Sequence, residues 1–483
     1  MEKKQIKKID NNNININSKP SNDDLYSSIF FCLGVVCIAV TIFLARFMAF
    51  DNDQFFLVAT GRDIIKNGIS HINNMTWLKG LEIVVQQWLY DVILYVFYDL
   101  FGKFSGTIIS AVNLILLFIP LYKTTRLKNN VGKSFFVASV LILCSSNLIC
   151  ARPAILTAAL LVWQLYVCEA KKSMWWIPII VLLEANLHSS YIIFHFAYLM
   201  PYIVPGITKW LDDEHDLKYI KAIPAMIIAA LCNPYGIKGT LYLFYAYTDV
   251  MNLRVAELRF FTLKNIRICI PIIILILVTI IIVTKYRKKI PSPTFYVYIG
   301  TIAILILSPV NKNVLFVTIG FLPILSHLFS DIISTKRYWL ESAFAIIALI
   351  VVIVTTMPEK MANYQVSYPS ETIKYLREVK PKRLFTCFDT GACLEFAGIK
   401  CFIDSRPELY LKKINNKHDY LYDEEKMVTG TNREKNALVN KYKFDYFFVD
   451  SACNYYFGEW AEDNCELIKV ENDRYLYKYK SKD

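Results

Sequence analysis

The apolar residues of this chain come in long unbroken blocks rather than alternating with polar ones. Residues 27–50, 107–122, 270–283 and 339–356 are rich in Ile, Leu, Val and Phe and almost free of charge. A helix built from such a block is apolar all round, so water is the wrong solvent for it, and ~20 such residues suffice to cross a bilayer. Composition agrees. The 483 residues have a mean hydropathy of +0.36, with 55% apolar and only 19% charged, where a soluble domain carries roughly a quarter charged. The pattern predicts an α-helical polytopic membrane protein.

Basic residues gather in short clusters between the blocks, and such clusters mark the cytoplasmic side of a membrane protein. Lys3, Lys4, Lys7 and Lys8 place the N-terminus inside, and residues 1–26, rich in Lys and Asn, read as a disordered cytoplasmic tail. The first block is too long for a signal-peptide core and has no small-residue cleavage site, so it reads as a retained anchor. The clusters at 123–133, 171–172, 209–221, 285–289 and 336–337 can all lie inside only if residues 84–101 do not cross. That stretch carries Gln86, Gln87, Asp91 and Asp99 among its aromatics and reads as a helix lying in the outer interface, with 54–66 as a second.

Spans then fall near 28–50, 107–122, 134–150, 155–168, 174–187, 191–204, 220–232, 270–283, 296–310, 314–329 and 339–356. That is about eleven transmembrane helices. An odd number divides the chain into a transmembrane domain at 27–357, with a first outer loop at 51–106, and an extracytoplasmic soluble domain at 358–483. Beta-like runs at 383–387, 400–403, 445–449 and 475–479, separated by helix-compatible stretches such as 369–379, predict an α/β fold for that domain.

The net charge of +12 sits in the cytoplasmic loops, which excludes nucleic acid as an implied partner. The twelve cysteines form no CxxC pair, so neither zinc nor a dense disulfide framework is indicated. Cys387, Cys393, Cys401, Cys453 and Cys465 read as small buried thiols, with a single disulfide among them left open.

The unusual polar residues were not used to set this topology, yet it gathers them on the outer face. Asp51 and Asp53 follow the first span. Arg152-Pro153 and Asn186-Leu187-His188-Ser189 sit in short outer turns, Asn233-Pro234-Tyr235-Gly236 and Glu257 in a long outer loop, and Asn311-Lys312-Asn313 in another outer turn. Ionisable residues at a bilayer boundary are costly and mark functional or water-lined sites. One carboxylate could deprotonate an acceptor hydroxyl, and the cations could neutralise a phosphate leaving group.

With these residues in place, the chain resembles the GT-C superfamily of integral-membrane glycosyltransferases, and within it a group of related bacterial membrane proteins. The resemblance rests on the run from Asp51 to Gly61, on Gln87-Trp88-Leu89, Arg152-Pro153, Asn186-Leu187-His188, Asn233-Pro234-Tyr235-Gly236, and the run from Phe402 to Tyr410, in that order. It implies a polyprenyl-phosphate-linked sugar as donor and an envelope polymer or lipid as acceptor, handled at the plasma membrane. It also implies Asp51 and Asp53 as catalytic acids, one of them contacting the acceptor or a divalent cation. Arg152, His188, Glu257 and Lys312 are the substrate-binding candidates. Two departures stand out. The late outer turn has Lys312 where such proteins often carry Arg, a point charge in place of a fork, and Ser189-Ser190 follows His188 where Gly is usual.

Plainer readings exist for each. Asp51 and Asp53 suit a helix start, His188 a structural histidine, and Arg152 a snorkelling span end. Glu257 fits a solvated loop acid, Asn233–Gly236 a turn, and Asp404 with Arg406 a local ion pair of the outer domain. The rival function is a GT-C-fold membrane protein that binds or handles envelope polymers without catalysis. A transporter would show inverted repeats and mid-bilayer polar residues, which the sequence lacks.

Overall fold

The structure is a computed structural model that describes residues 22–44, 52–145, 149–211, 218–242, 244, 266–307, 313–332 and 368–480. Among the described residues, thirteen α-helices precede residue 333: α1 (Asn22–Leu44), α2 (Asn52–Asn67), α3 (Trp88–Phe101), α4 (Ser105–Thr125), α5 (Val131–Cys144), α6 (Ala154–Glu169), α7 (Trp176–Leu187), α8 (Ile192–Leu211), α9 (Ile223–Leu231), the single turn α10 (Ile237–Thr240), α11 (Ile266–Tyr286), α12 (Ser292–Leu307) and α13 (Val314–His327). Nine of the expected blocks coincide with α4 to α9 and α11 to α13, and the first overlaps α1; the block at 339–356 lies outside the described residues. Among the described residues, one continuous stretch, Trp88–Thr125, is both long and apolar enough to cross a bilayer. The fully described apolar stretches of other helices run 10–17 residues, although α1, α8 and α11 themselves span 23, 20 and 21; α5 stops at Cys144, earlier than its apolar block.

Apolar helices carry Ser and Thr here because each hydroxyl returns its proton to a carbonyl one turn back. Ser110 donates to Gly106, Thr124 to Pro120, Thr279 to Leu275 and Thr301 to Val297, at 2.7–2.9 Å. These four hydroxyls are thereby kept from facing apolar surroundings unpaired.

The loops fall into two groups at opposite ends of α6. At one end Lys128 pairs with Glu169 at 3.0 Å, and Lys218 donates to the carbonyls of Lys171 and Lys172. Asn129 reaches the Ser326 carbonyl, Lys133 that of Phe329, and His327 that of Lys289. These are the basic loops. At the other end the turns around Arg152, His188 and Asn233 meet the 51–106 segment. Trp88 donates to Asn186, Asn186 to the Cys232 carbonyl, and the Ser189 amide to the Gln86 carbonyl.

The 84–101 segment forms α3 from Trp88 onward, and the chain turns sharply at Gly102, whose φ of 54° suits glycine. Asn113 of α4 donates to the Tyr90 hydroxyl of α3, so the two helices fold against each other rather than running on in line. Helices α2 and α3 approach closely at Gly61, where a Cβ would stand 2.0 Å from the Asp91 carbonyl oxygen.

Residues 368–480 form α14 (Ser370–Val379), β1 (Leu384–Thr386), α15 (Gly391–Phe396), α16 (Tyr420–Thr429), α17 (Asn432–Tyr442), β2 (Tyr446–Asp450), α18 (Ser451–Asn464), β3 (Cys465–Glu471) and β4 (Arg474–Tyr479). The sheet order is β1-β2-β4-β3, with β1 parallel to β2 and the other pairs antiparallel. Asn472 and Asp473, both at positive φ, close the β3–β4 hairpin. The expected run at 400–403 is not a strand. Thr386 takes the place of a ladder there, its hydroxyl donating to the Ile403 carbonyl and accepting from the Ile403 amide.

Residues 68–87 are built into this unit. Leu78, Leu81, Ile83 and Val85 share a core with Phe385, Phe402 and Phe447, and Trp77 stacks on Phe402 at 5.3 Å while its Nε1 donates to the Leu384 carbonyl. Phe55, Leu57 and Leu94 of α2 and α3 likewise pack with Ile373, Leu384 and Phe448.

Candidate functional site

Asp53 lies in the first turn of α2, where an acid is favoured by the helix dipole. Its Oδ2 lies 2.9 Å from Nη1 of Arg152, the residue before Pro153 at the start of α6. Both side chains keep partial access to solvent, 35% for Asp53 and 21% for Arg152. Asn113 holds the Arg152 turn in place by donating to the carbonyls of Cys150 and Arg152. The pair therefore joins one charged group from the start of α2 to one from the start of α6, both partly exposed to solvent.

His188 caps the C-terminus of α7 and is buried. Its Nδ1 is 2.9 Å from the Thr157 hydroxyl, which is 2.7 Å from Glu184 Oε1. Thr157 lies about one helical turn (~5.4 Å of rise) along α6 from Pro153, so the Asp53–Arg152 pair and His188 are mounted on the same helix end. The network continues inward. Glu184 Oε2 faces His195 Nε2 at 3.8 Å, and His195 Nδ1 is 2.8 Å from Gln164 Oε1. Glu184 and His195 are fully buried, and among the described residues Glu184 Oε2 and His195 Nε2 have no hydrogen-bond partner.

Glu184, His195 and Thr157 were not singled out from the sequence. The signal was present for Glu184, the lone charge in the apolar run of α7. Of the other expected site residues, Asp51, Glu257 and Lys312 lie outside the described residues. The Asn233 side chain is taken up by its own turn, its Nδ2 donating to the carbonyls of Ala230 and Gly236.

A second, buried charged group lies in the 368–480 unit. Arg406 donates Nε to Asp404 at 2.9 Å and Nη2 to Glu395 at 3.0 Å, and Tyr410 donates to Asp404. Burial works to raise the Asp404 carboxyl, but the Arg406 charge and the hydrogen bonds from Arg406 and Tyr410 outweigh it and hold the group below the ordinary range. Glu395 goes the other way: burial raises it, and the Asp404 charge adds to the rise, against Arg406. One arginine thus serves two carboxyls whose pKa values are pushed in opposite directions. Arg406 also lies over the Phe56 ring of α2, tying the unit to that helix.

No protein-family model matches the chain, and no curated protein is similar to it in sequence. Solved structures do share its fold. The archaeal oligosaccharyltransferase AglB from Archaeoglobus fulgidus, in complex with an inhibitory peptide and a dolichol-phosphate, superposes with a TM-score of 0.61 at 12% identity, covering 94% of this chain and 74% of that one. A structure of the Archaeoglobus fulgidus oligosaccharyltransferase with Zn and sulfate gives 0.54 at 12% identity, over 92% and 73%. ArnT from Cupriavidus metallidurans, in the apo state, gives 0.52 at 11% identity, over 95% and 98%. The chain has the fold of the GT-C glycosyltransferases.

Proposed function

We propose that this protein is a multi-pass membrane glycosyltransferase that moves a sugar from a polyprenyl-phosphate donor to a cell-envelope acceptor on the outer face. The observation that carries the reading is the partly open Asp53–Arg152 pair, mounted beside the His188 network where the 51–106 segment, the helix turns and the 368–480 unit converge. The neighbours' bound dolichol-phosphate and acceptor peptide support a lipid-linked donor and a separate acceptor.

In this reading Asp53, with Asp51 beside it in sequence, provides the carboxylate that takes the acceptor hydroxyl proton as that oxygen attacks the sugar's anomeric carbon. The bond from that carbon to the phosphate oxygen breaks, and the lipid phosphate leaves as an anion. Arg152 and Lys312 would be the cations that meet that charge. Asp53 already gives Oδ2 to Arg152, so a donor phosphate would compete for the guanidinium and free the carboxylate for the acceptor. His188, oriented by the contact of its Nδ1 with Thr157, would help position a substrate hydroxyl, and Glu257 would be the second acid.

A hard divalent cation suits this donor set, which consists of carboxylate oxygens with no thiolate or imidazole in the pair. Asp51 and Asp53 would hold it, and when bound it would supply positive charge to the leaving phosphate.

The binding-only reading draws on the same ion pair, because a carboxylate already neutralised by Arg152 also suits a fixed bridge between α2 and α6. Mass spectrometry of envelope polymers from a deletion strain separates the two readings. A missing sugar, restored by wild type but not by the Asp51→Asn/Asp53→Asn double variant present in the membrane at normal level, supports the transferase. Restoration by the double variant sinks it.

A further inference from the structure

The 368–480 unit brings two thiols and a carboxylate together from three separate elements. Cys387 follows β1, Glu424 lies in α16 and Cys453 in the first turn of α18. Their two Sγ atoms and a carboxylate oxygen all lie within 4.8 Å of one another. Cys387 and Glu424 are buried, Cys453 is half-buried, and no disulfide joins the thiols. The backbone locks each element in place. Asp450 caps α18 by accepting from the Cys453 amide at 2.8 Å, and the Phe388 amide points at Glu424 Oε1 at 3.4 Å.

Two sulfurs and a carboxylate oxygen gathered this closely from three separate elements form a ligand set for a metal ion. A thiophilic dication would make ligands of all three groups. Two sulfurs and one oxygen select zinc over magnesium or calcium, and the solvent edge at Cys453 leaves a fourth, water-filled position.

We infer that Cys387, Glu424 and Cys453 form a zinc site that clamps the end of β1 to the helices α16 and α18. Binding would deprotonate both thiols and release their protons to solvent, with no redox step. The site is separate from Asp53 and Arg152, so it stands or falls independently of the proposed transferase activity. Because Cys387 and Cys453 are distant in the chain, no motif announces it.

The test uses the full-length protein purified in detergent under reducing conditions, loaded with Zn2+ or Co2+ and dialysed exhaustively. The expected result is stoichiometric zinc by elemental analysis, a thiolate-to-cobalt charge-transfer band with Co2+, and a zinc-dependent rise in the unfolding midpoint. Cys453→Ser should abolish the band and the rise. Glu424→Gln, which preserves shape, should keep the band but release metal at lower chelator concentration. The inference is overturned if wild type, with its thiols confirmed free, shows no band. It is equally overturned if unreduced peptide mapping finds a Cys387–Cys453 disulfide, or if both variants retain metal like wild type.

Discussion

Two aspartate–arginine pairs sit in this molecule in opposite surroundings. Asp404 and Arg406 are sealed in the 368–480 unit at 0% and 6% exposure, and Glu395, Tyr410 and Asn73 use up most of their remaining hydrogen-bonding capacity. Asp53 and Arg152 bridge two helix starts at 35% and 21% exposure. The chemistry of the pair is the same, but the solvent is not. Taking two charges out of water costs so much that the buried pair holds only with its charges matched and nearly all its groups hydrogen-bonded, which fixes it as structure. The open pair gains little stability from its contact, so its charges remain exchangeable with those of a ligand. Burial, more than residue type, separates the clamp from the candidate site.

The largest expected consequence of that difference is on the clamp. Arg406→Met should leave Asp404 buried without its cation and cost about 3–5 kcal/mol, read as a lower unfolding midpoint or as loss of folded protein from the membrane. An unchanged midpoint would mean that the clamp is no stronger than the open pair. Next comes the network behind His188. Thr157→Val removes the hydroxyl shared by Glu184 and His188, and with a buried carboxylate oxygen left unpaired should cost about 1–3 kcal/mol.

A pH profile separates the two acids of the clamp. The Glu395 carboxyl is raised in the folded protein, so its contribution is complete below its ordinary value of 4.5 and declines as pH rises toward the folded value. Asp404 is lowered, so its contribution is present above its ordinary value of 3.8 and is lost as pH falls. Glu395→Gln mimics the protonated acid and should flatten the alkaline decline without shifting the acid limb. A decline that persists in this variant would assign it to another group. The smallest effect on stability belongs to the open pair, where Arg152→Met should change it by no more than about 1 kcal/mol. A loss comparable to that of Arg406→Met would make Arg152 a structural residue and weaken its assignment to the substrate.

Much of this arrangement was legible in the sequence because it rests on local signals. Apolar blocks marked the helices, and clusters of Lys and Arg marked the loops that Lys128, Lys218 and His327 join at one end. The Asp404–Arg406 pair was likewise readable, being two residues apart. What escaped depends on distant partners. The insertion of Trp77 between Arg383 and Phe402 follows from a tertiary fit that no period encodes. Strand β3 was missed because its burial is irregular, with exposed Glu466 and Leu467 adjacent, so neither face alternates cleanly. Residues 400–403 looked like a strand because they are apolar, yet Thr386 satisfies their backbone with a side chain. Glu184 and His195 had the right signal, an ionisable group in an apolar run, but their meeting required α7 and α8 to pack at one register.

The central claim is that the open pair, and not the buried one, does chemistry on a lipid-linked sugar. The most direct measurement is transfer from a radiolabelled polyprenyl-phosphate sugar to an envelope-polymer acceptor, by purified protein in proteoliposomes. Wild type should consume the donor and release polyprenyl phosphate, and Asp53→Asn combined with Asp51→Asn should slow that release by roughly 10²–10⁴-fold, as loss of a general base does, while unfolding at the wild-type midpoint. Wild-type turnover by the folded double variant would contradict it.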